Sequence, residues 1–122
     1  MRFNQDSGAA AQLIRAYGGG ELRVGDEIYR ETVIVSASAV LAQPELRDMN
    51  DLPGLDLSII FALDPEVVLL GTGQRQIFPA ASFRRRFADA GIGLEVMDTG
   101  AACRTFNVLA NERRRVVAVL ML

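Results

Sequence analysis

Residues 67–74 read VVLLGTGQ, and this segment is the most informative one for the fold class. Its first four residues are all apolar, which is typical of a strand that is covered on both faces of a sheet. The strand runs directly into a Gly-x-Gly turn made by Gly71, Thr72 and Gly73. In open α/β sheets ligands bind beyond the carboxyl ends of strands, where glycines let backbone N–H groups approach an anion. The segment therefore predicts a central strand followed by either a tight structural turn or a binding loop that includes Gln74.

Helices and strands alternate after this segment. Helical spacing of apolar residues predicts one helix over residues 80–90 and a second helix from Thr99, its expected N-cap, to Glu112. Apolar runs predict strands over residues 94–97 and 116–122. The resulting order of strand, helix, strand, helix, strand predicts an α/β domain with a mixed or parallel sheet.

The first half of the chain predicts a β-meander. Strands are expected over residues 13–17, 22–24 and 27–29, with Gly25-Asp26 as a tight turn between the second and third. The β-branched run within residues 32–36 predicts a further strand that enters the core.

The remaining segments indicate less regular structure. Residues 44–53 are polar and predict a loop with room for a helical turn, and residues 57–63 predict a short helix with Asp56 as its cap. Residues 1–11 lack periodicity and are interpreted as a flexible leader, which leaves residues 12–122 as a single domain.

Composition excludes several classes of site. The 122 residues include no His, one Cys and 13 basic residues, all of them Arg. Nucleophilic sites built on His, Schiff-base lysines, Walker phosphate loops and structural zinc sites are therefore excluded. Carboxylates, two tyrosines and Cys103 remain for proton transfer without forming an obvious catalytic centre, so the residues favour a protein that is not an enzyme.

Charge and hydropathy bear on location and partners. The net charge of −2 and the pI near 5.1 disfavour a general nucleic-acid binder. A solvated surface is the favoured interpretation of the arginine runs at residues 84–86 and 113–115, and nucleic-acid binding through these runs is the alternative. No segment approaches the roughly 20 apolar residues of a membrane span, and the first residues do not resemble a signal peptide. We therefore expect a cytoplasmic protein without membrane insertion, and the Arg-only, Ala-rich usage suggests a bacterial source.

Polar residues on the second helix form a second candidate binding surface. Arg104 and Asn107 share one face with Asn111, opposite the apolar face, and the helix start at Thr99 offers backbone amides to an anion. Glu112 and Arg114 lie in the junction before the last strand, where Glu112 could pair with Arg115 or Arg104. A solvated or structural role stands beside the binding role for each of these residues.

Four stretches of the sequence resemble a known family. They are LLGTGQ (69–74), GLEVMDTGAACRTFNVLANERRRVVAVL (93–120), IRAYGGG (14–20) and YRETVIV (29–35). Together they are similar to the small α/β domain family that includes mitochondrial complex I assembly factor 3 and the adipogenesis-associated domain proteins. The resemblance implies a three-layer fold with a mixed central sheet, a smaller β layer and helices. It marks ten signature positions: Gly71, Thr72, Gly73, Thr99, Ala102, Arg104, Thr105, Asn107, Glu112 and Arg114.

The resemblance also directs the functional expectation. The mitochondrial family member is a non-enzymatic helper of a membrane respiratory complex, so we expect a protein-interaction domain with an unidentified protein partner, such as a subunit of a membrane complex. The expectation includes no metal and no cofactor. The alternative is a small-molecule or anion site, or an enzyme, that uses the Gly71-Thr72-Gly73 loop and the Thr99 end of the helix.

Overall fold

The computed structural model describes residues 13–122. Within this range it has eight strands: β1 Ile14–Gly18, β2 Glu21–Val24, β3 Glu27–Tyr29, β4 Val33–Val35, β5 Val40–Ala42, β6 Val67–Thr72, β7 Gly93–Met97 and β8 Val116–Met121. It also has one 3-10 helix and three α-helices: the 3-10 helix Met49–Gly54, α1 Leu57–Phe61, α2 Ala81–Asp89 and α3 Thr99–Asn111. The expected leader lies outside the described residues, so the division of the chain at residue 12 stays a prediction.

The strands form two sheets. The first three make an antiparallel sheet in the order β1-β2-β3, and Gly25-Asp26 forms the predicted turn between β2 and β3. The second sheet has the order β5-β4-β8-β6-β7. In it β6 is parallel to both β8 and β7, whereas β4 is antiparallel to β8 and β5. The expected mixed central sheet and N-terminal meander are confirmed.

Both faces of the five-stranded sheet are covered. The small sheet and α3 pack on one face, and α1, α2 and the 3-10 helix pack on the other. All six residues of β6 are buried, which explains the uninterrupted apolar run of its first four residues. On α2 the buried residues are Phe83 and Phe87, one turn apart, and on α3 they include Ala102, Cys103 and Phe106. The expected three-layer arrangement is confirmed.

The N-terminal half departs from the sequence prediction at β5. This strand pairs with β4 through a hairpin in which the Ser36 hydroxyl accepts the N–H groups of Ser38 and Ala39. The stretch between the strands, Ser-Ala-Ser-Ala, carries none of the usual Gly or Asn hairpin signals, so the sequence did not predict it. The predicted helical turn is the 3-10 helix, and Asp56 caps α1 as expected.

Candidate functional site

The carboxyl end of β6 is joined to the start of α3 by the side chain of Thr99. Its hydroxyl donates a hydrogen bond to the carbonyl oxygen of Met121 at 2.6 Å and accepts one from the N–H of Gly73 at 2.8 Å. The N–H of Thr99 in turn donates to the carbonyl oxygen of Gly73 at 2.8 Å. Thr99 is fully buried. One side chain therefore connects the loop after β6, the end of β8 and the first turn of α3.

The N-cap of α3 is Asp98, and the expectation that Thr99 caps this helix was wrong. Asp98 has extended backbone angles, and its carboxylate accepts the N–H of Ala101 at 2.9 Å. Asp and Thr are both good N-caps, so local sequence did not separate them. The tertiary structure does, because Thr99 is the first helical residue and its hydroxyl is directed toward the sheet.

Gly71 is required by the close approach of α3. A Cβ atom at this position would lie 3.0 Å from the Cα of Thr99, 3.0 Å from its Oγ1 and 3.2 Å from the Cβ of Ala102. The backbone of β6 and the helix are therefore in direct contact here. Gly73 adopts a φ of +96°, which L side chains rarely adopt, and begins the turn away from the sheet.

The groups expected to bind an anion are already engaged. The N–H groups of Gly73 and Thr99 both donate within the chain. The Thr72 hydroxyl donates to the carbonyl oxygen of Arg75 and accepts the N–H of Ile77 at 3.0 Å. This geometry favours a structural role for the Gly71-Thr72-Gly73 turn, and Gln74 follows it as an exposed residue.

Asn107 connects α3 to the small sheet. Its side-chain oxygen accepts the N–H of Ile14 at 2.9 Å, and its side-chain nitrogen donates to the carbonyl oxygen of Ile14 at 2.8 Å. The amide thus pairs with β1 as a neighbouring strand would. Asn107 is half-buried, and it lies between two layers of the fold rather than on an open binding face.

We expect Asn107→Leu to lower the free energy of unfolding by about 2 kcal/mol, because both backbone groups of Ile14 lose their partner in a half-buried position. Denaturant unfolding of the purified chain measures the loss. Asn111→Leu, at the exposed end of the same helix, is the matched control and should change stability by less than about 0.5 kcal/mol. Equal stability of the two variants would contradict the structural role of Asn107.

The remaining predicted site residues are divided between the two ends of α3. The guanidinium of Arg104 lies at the first turn, where its Nη1 would be 3.5 Å from a Cβ at Gly100. Glu112 and Arg114 lie beyond the other end of this 13-residue helix, about 20 Å away. The structure therefore does not bring all the signature positions together into one site.

The junction before β8 is held by ion pairs that sequence reasoning did not predict. Arg114 Nη2 lies 3.3 Å from Glu66 Oε2, and Arg115 Nε lies 3.6 Å from Asp64 Oδ2. The backbone N–H of Arg115, followed by the Arg114 side chain, lowers the pKa of the Glu66 carboxyl. The predicted pairing of Glu112 with Arg115 was wrong, because Arg115 instead faces the loop before β6.

The groups considered for proton transfer beside α3 are not activated. Burial raises the pKa of the Cys103 thiol to about 11, with Arg104 acting in the opposite direction. The pKa of Tyr17 is also raised, first by burial and then by Cys103. Both groups are therefore protonated at neutral pH, and neither is poised as a nucleophile or base.

The loop of residues 73–79 exposes the apolar side chains that sequence reasoning missed. Phe78 is 64% exposed and Ile77 is 40% exposed. The loop is shaped by the Thr72 hydrogen bonds and by the side chain of Gln76, which donates to the carbonyl oxygen of Val96 at 2.9 Å. We call this segment the apolar loop. The available signal was an Ile-Phe pair placed between polar residues and a proline, without periodic apolar neighbours.

A small apolar cavity adjoins the end of the apolar loop. Its volume is about 170 Å³, and its lining combines side chains of the 3-10 helix with the start of α2. The lining residues are Met49, Leu52, Pro53, Pro79, Ala80, Ser82, Phe83 and Arg86.

Residues 13–122 contain neither a metal-binding cluster nor a helix that could span a membrane. No group of three or more His, Cys, Asp or Glu side chains is arranged to bind a metal ion. None of the helices in this range combines the length and the apolar character that crossing a membrane requires.

Comparison with known proteins relates the chain to one family. The profile of the family "Protein of unknown function (DUF498/DUF598)" matches residues 14–121. The 13 kDa major membrane protein of Francisella tularensis subsp. holarctica (strain LVS) is 30% identical over 122 residues, which is 99% of each chain. NADH dehydrogenase [ubiquinone] 1 alpha subcomplex assembly factor 3 of Danio rerio is 31% identical over 119 residues, which is 96% of this chain and 68% of that protein.

A solved structure has the same fold. The protein XCC1710 of Xanthomonas campestris superposes with a TM-score of 0.81 at 34% identity, covering 99% of this chain and 92% of that one. The resemblance that the sequence motifs indicated is confirmed over nearly the whole described chain, and the chain belongs to the DUF498/DUF598 family of proteins of unknown function.

Proposed function

We propose that this protein is a non-enzymatic, cytoplasmic interaction domain that assists the assembly of a membrane respiratory complex. Its similarity to an NADH dehydrogenase assembly factor over 96% of the chain supports this proposal. The name of the Francisella relative, a major membrane protein, supports action next to a membrane. The proposed partner is a protein subunit of the complex.

The observation that carries the proposal is the exposure of Phe78 on a loop with a defined shape. Isolated exposed apolar residues are common, but an exposed aromatic beside a second exposed apolar residue indicates a contact surface. Two hydrogen bonds hold the loop in place before any partner binds: the N–H of Ile77 donates to the Thr72 hydroxyl, and the Gln76 side chain donates to the carbonyl oxygen of Val96. A preorganised loop loses little conformational entropy on binding.

The chemistry around the apolar loop indicates the kind of surface that it contacts. Arg75 is exposed within the loop, and Arg86 lines the cavity that begins at Pro79. A partner surface with apolar side chains and a carboxylate nearby would complement both features. We assign Gln74 and Arg104, which are exposed, as secondary contacts, and we assign Gly71, Gly73 and Thr99 to the scaffold that positions the loop.

The alternative anion site at the Gly71-Thr72-Gly73 turn would require a different local structure. Gly73 donates its N–H to the buried hydroxyl of Thr99, and Thr99 donates its N–H to the carbonyl oxygen of Gly73. An anion bound to these N–H groups would have to break both hydrogen bonds. Breaking these bonds leaves other polar groups unpaired, which costs free energy. The observed geometry therefore favours the interaction domain.

Deletion and complementation in the native host test this function. We expect deletion of the gene to lower the amount of an assembled respiratory complex on native gels, and the wild-type chain to restore it. Phe78→Ser should fail to restore assembly, because truncating a central interface aromatic weakens binding by about 2 kcal/mol or roughly 30-fold. Val108→Ser, which changes a 56% exposed apolar residue on α3, is the matched control and should restore assembly.

Both variants are first checked for unchanged thermal stability, so that a loss of function is not a loss of folding. Normal assembly in the deletion strain, or full restoration by Phe78→Ser, would contradict the proposal.

A further inference from the structure

The strand β7 forms an open edge of the central sheet. It is last in the order β5-β4-β8-β6-β7 and pairs with β6 on its inner side. The N–H of Gly93 donates to the carbonyl oxygen of Glu66 at 3.2 Å, so the backbone of Gly93 faces inward. Backbone groups alternate in direction along a parallel strand, which turns those of Leu94 and Val96 outward. The contact of the Gln76 side chain with the carbonyl oxygen of Val96 agrees with this direction.

The outward groups of β7 offer a template for another strand. Within residues 13–122 no strand pairs with this side of β7. Gln76 satisfies the carbonyl of Val96, and the N–H of Val96 and both backbone groups of Leu94 remain directed away from the sheet. Open edges of this kind bind extended peptides through backbone hydrogen bonds.

A groove runs beside this edge, between β7 and α2. It has a volume of about 390 Å³, and its lining combines apolar side chains with two arginines. The lining residues are Ala81, Arg84, Arg85, Phe87, Ala88, Ile92 and Leu94. Side chains alternate between the faces of a strand, so every second side chain of a segment paired with β7 would enter the groove.

The arginines give the groove a positive rim. Arg84 and Arg85 are exposed, and neither lies within 4.0 Å of a carboxylate oxygen among the described residues. Arg86 belongs to a different surface, because it lines the cavity on the other side of α2. An acidic side chain in the groove would therefore meet two guanidinium groups that have no ion-pair partner within residues 13–122.

We infer that the β7 edge and this groove bind an extended segment of a partner protein as an added strand. Every second residue of this segment is apolar or acidic, and these are the side chains that enter the groove. The apolar ones contact Leu94, and the acidic ones pair with Arg84 or Arg85. This inference rests on the proposed function only in that the occupant is a protein. A second copy of the chain fits less well, because pairing two β7 edges antiparallel would place like-charged α2 rims side by side.

Peptide binding to the purified full chain tests the inference. The probe is a fluorescent nine-residue peptide. Threonine occupies every odd position, and leucine, glutamate, glutamate and valine follow in that order at the even positions. We expect saturable binding, and we expect the backbone N–H signals of Leu94 and Val96 to shift in NMR spectra. A second peptide carries methyl groups on those of its own backbone nitrogens that face β7. It should not bind, because methylated nitrogens cannot donate hydrogen bonds.

Charge reversal on α2 provides the matched variants. Arg84→Glu combined with Arg85→Glu should weaken binding at least 10-fold, whereas Arg86→Glu, one position further along the helix, should change it less than twofold. A peptide with lysine in place of both glutamates should bind at least 10-fold more weakly.

Several outcomes would overturn the inference: no binding at about 1 mM peptide, binding that tolerates the methylated backbone, or equal effects of the two charge reversals. Dimerisation of the unliganded chain through β7, or pairing of residues 1–12 with that edge, would also overturn it. The test uses no respiratory complex, so its failure is distinguishable from failure of the assembly function, which depends on Phe78.

Discussion

Thr99→Val is expected to lower the free energy of unfolding by about 2–4 kcal/mol. Valine has nearly the same shape as threonine, so packing against Gly71 and Ala102 is kept. The loss comes from the carbonyl of Met121 and the N–H of Gly73, which bond to the Thr99 hydroxyl at 2.6 and 2.8 Å and would be left without it. Each unpaired buried group costs about 1–3 kcal/mol.

Denaturant unfolding with two companion variants measures this effect. Thr99→Ser keeps the hydroxyl and should retain most of the stability that valine loses. Thr105→Val makes the same chemical change at a half-exposed position of the same helix and should alter stability by less than about 0.5 kcal/mol. Equal effects of valine at the two positions would show that Thr99 does not connect β6, β8 and α3.

Gly71→Val is expected to lower the free energy of unfolding by a similar amount, about 3 kcal/mol. The first added carbon would already lie 3.0 Å from the backbone Cα of Thr99 and 3.2 Å from the Cβ of Ala102. Backbone cannot move aside as a flexible side chain can, so β6 and α3 must separate. Overpacking of this kind costs about 1–3 kcal/mol, and we expect the branched side chain of valine to cost an amount near the upper end of this range.

The control for this prediction is Gly18→Val, which also changes a strand glycine. A Cβ at Gly18 would meet no other described heavy atom within 4 Å, so this variant should be close to neutral. Thermal unfolding should therefore show a lower midpoint for Gly71→Val alone. Wild-type stability of Gly71→Val would mean that the helix does not approach the strand as closely as the structure shows.

Most of the strands and helices could be predicted from the sequence, because the patterns that indicate them lie within a few neighbouring residues. The apolar run of β6, the Phe83 and Phe87 pair of α2 and the Gly25-Asp26 turn each depend on neighbours within a few residues. β5 was missed for the same reason, since its hairpin is closed by the hydroxyl of Ser36 and by pairing with β4, which leave little trace in the local pattern.

The candidate site was harder to predict, because the role of a polar side chain depends on what lies opposite it. Asn107 has the pattern of an exposed helical residue, yet its amide pairs with Ile14, 93 positions earlier in the chain. The exposure of Phe78 could not be predicted for the same reason, since only the packed fold shows which apolar residues lie outside the core.

The amino-acid sequence alone was sufficient to predict the α/β class, the order of strands and helices apart from β5, the family and the absence of histidine and lysine chemistry. These properties follow from composition, periodicity and short motifs, which are contained in the order of residues. Three findings required the packed fold: Thr99 and Asn107 bind backbone groups within the chain, α3 separates Arg104 from Arg114, and β7 has an open edge. Each of these depends on contacts between distant segments, and such contacts form only when the layers pack.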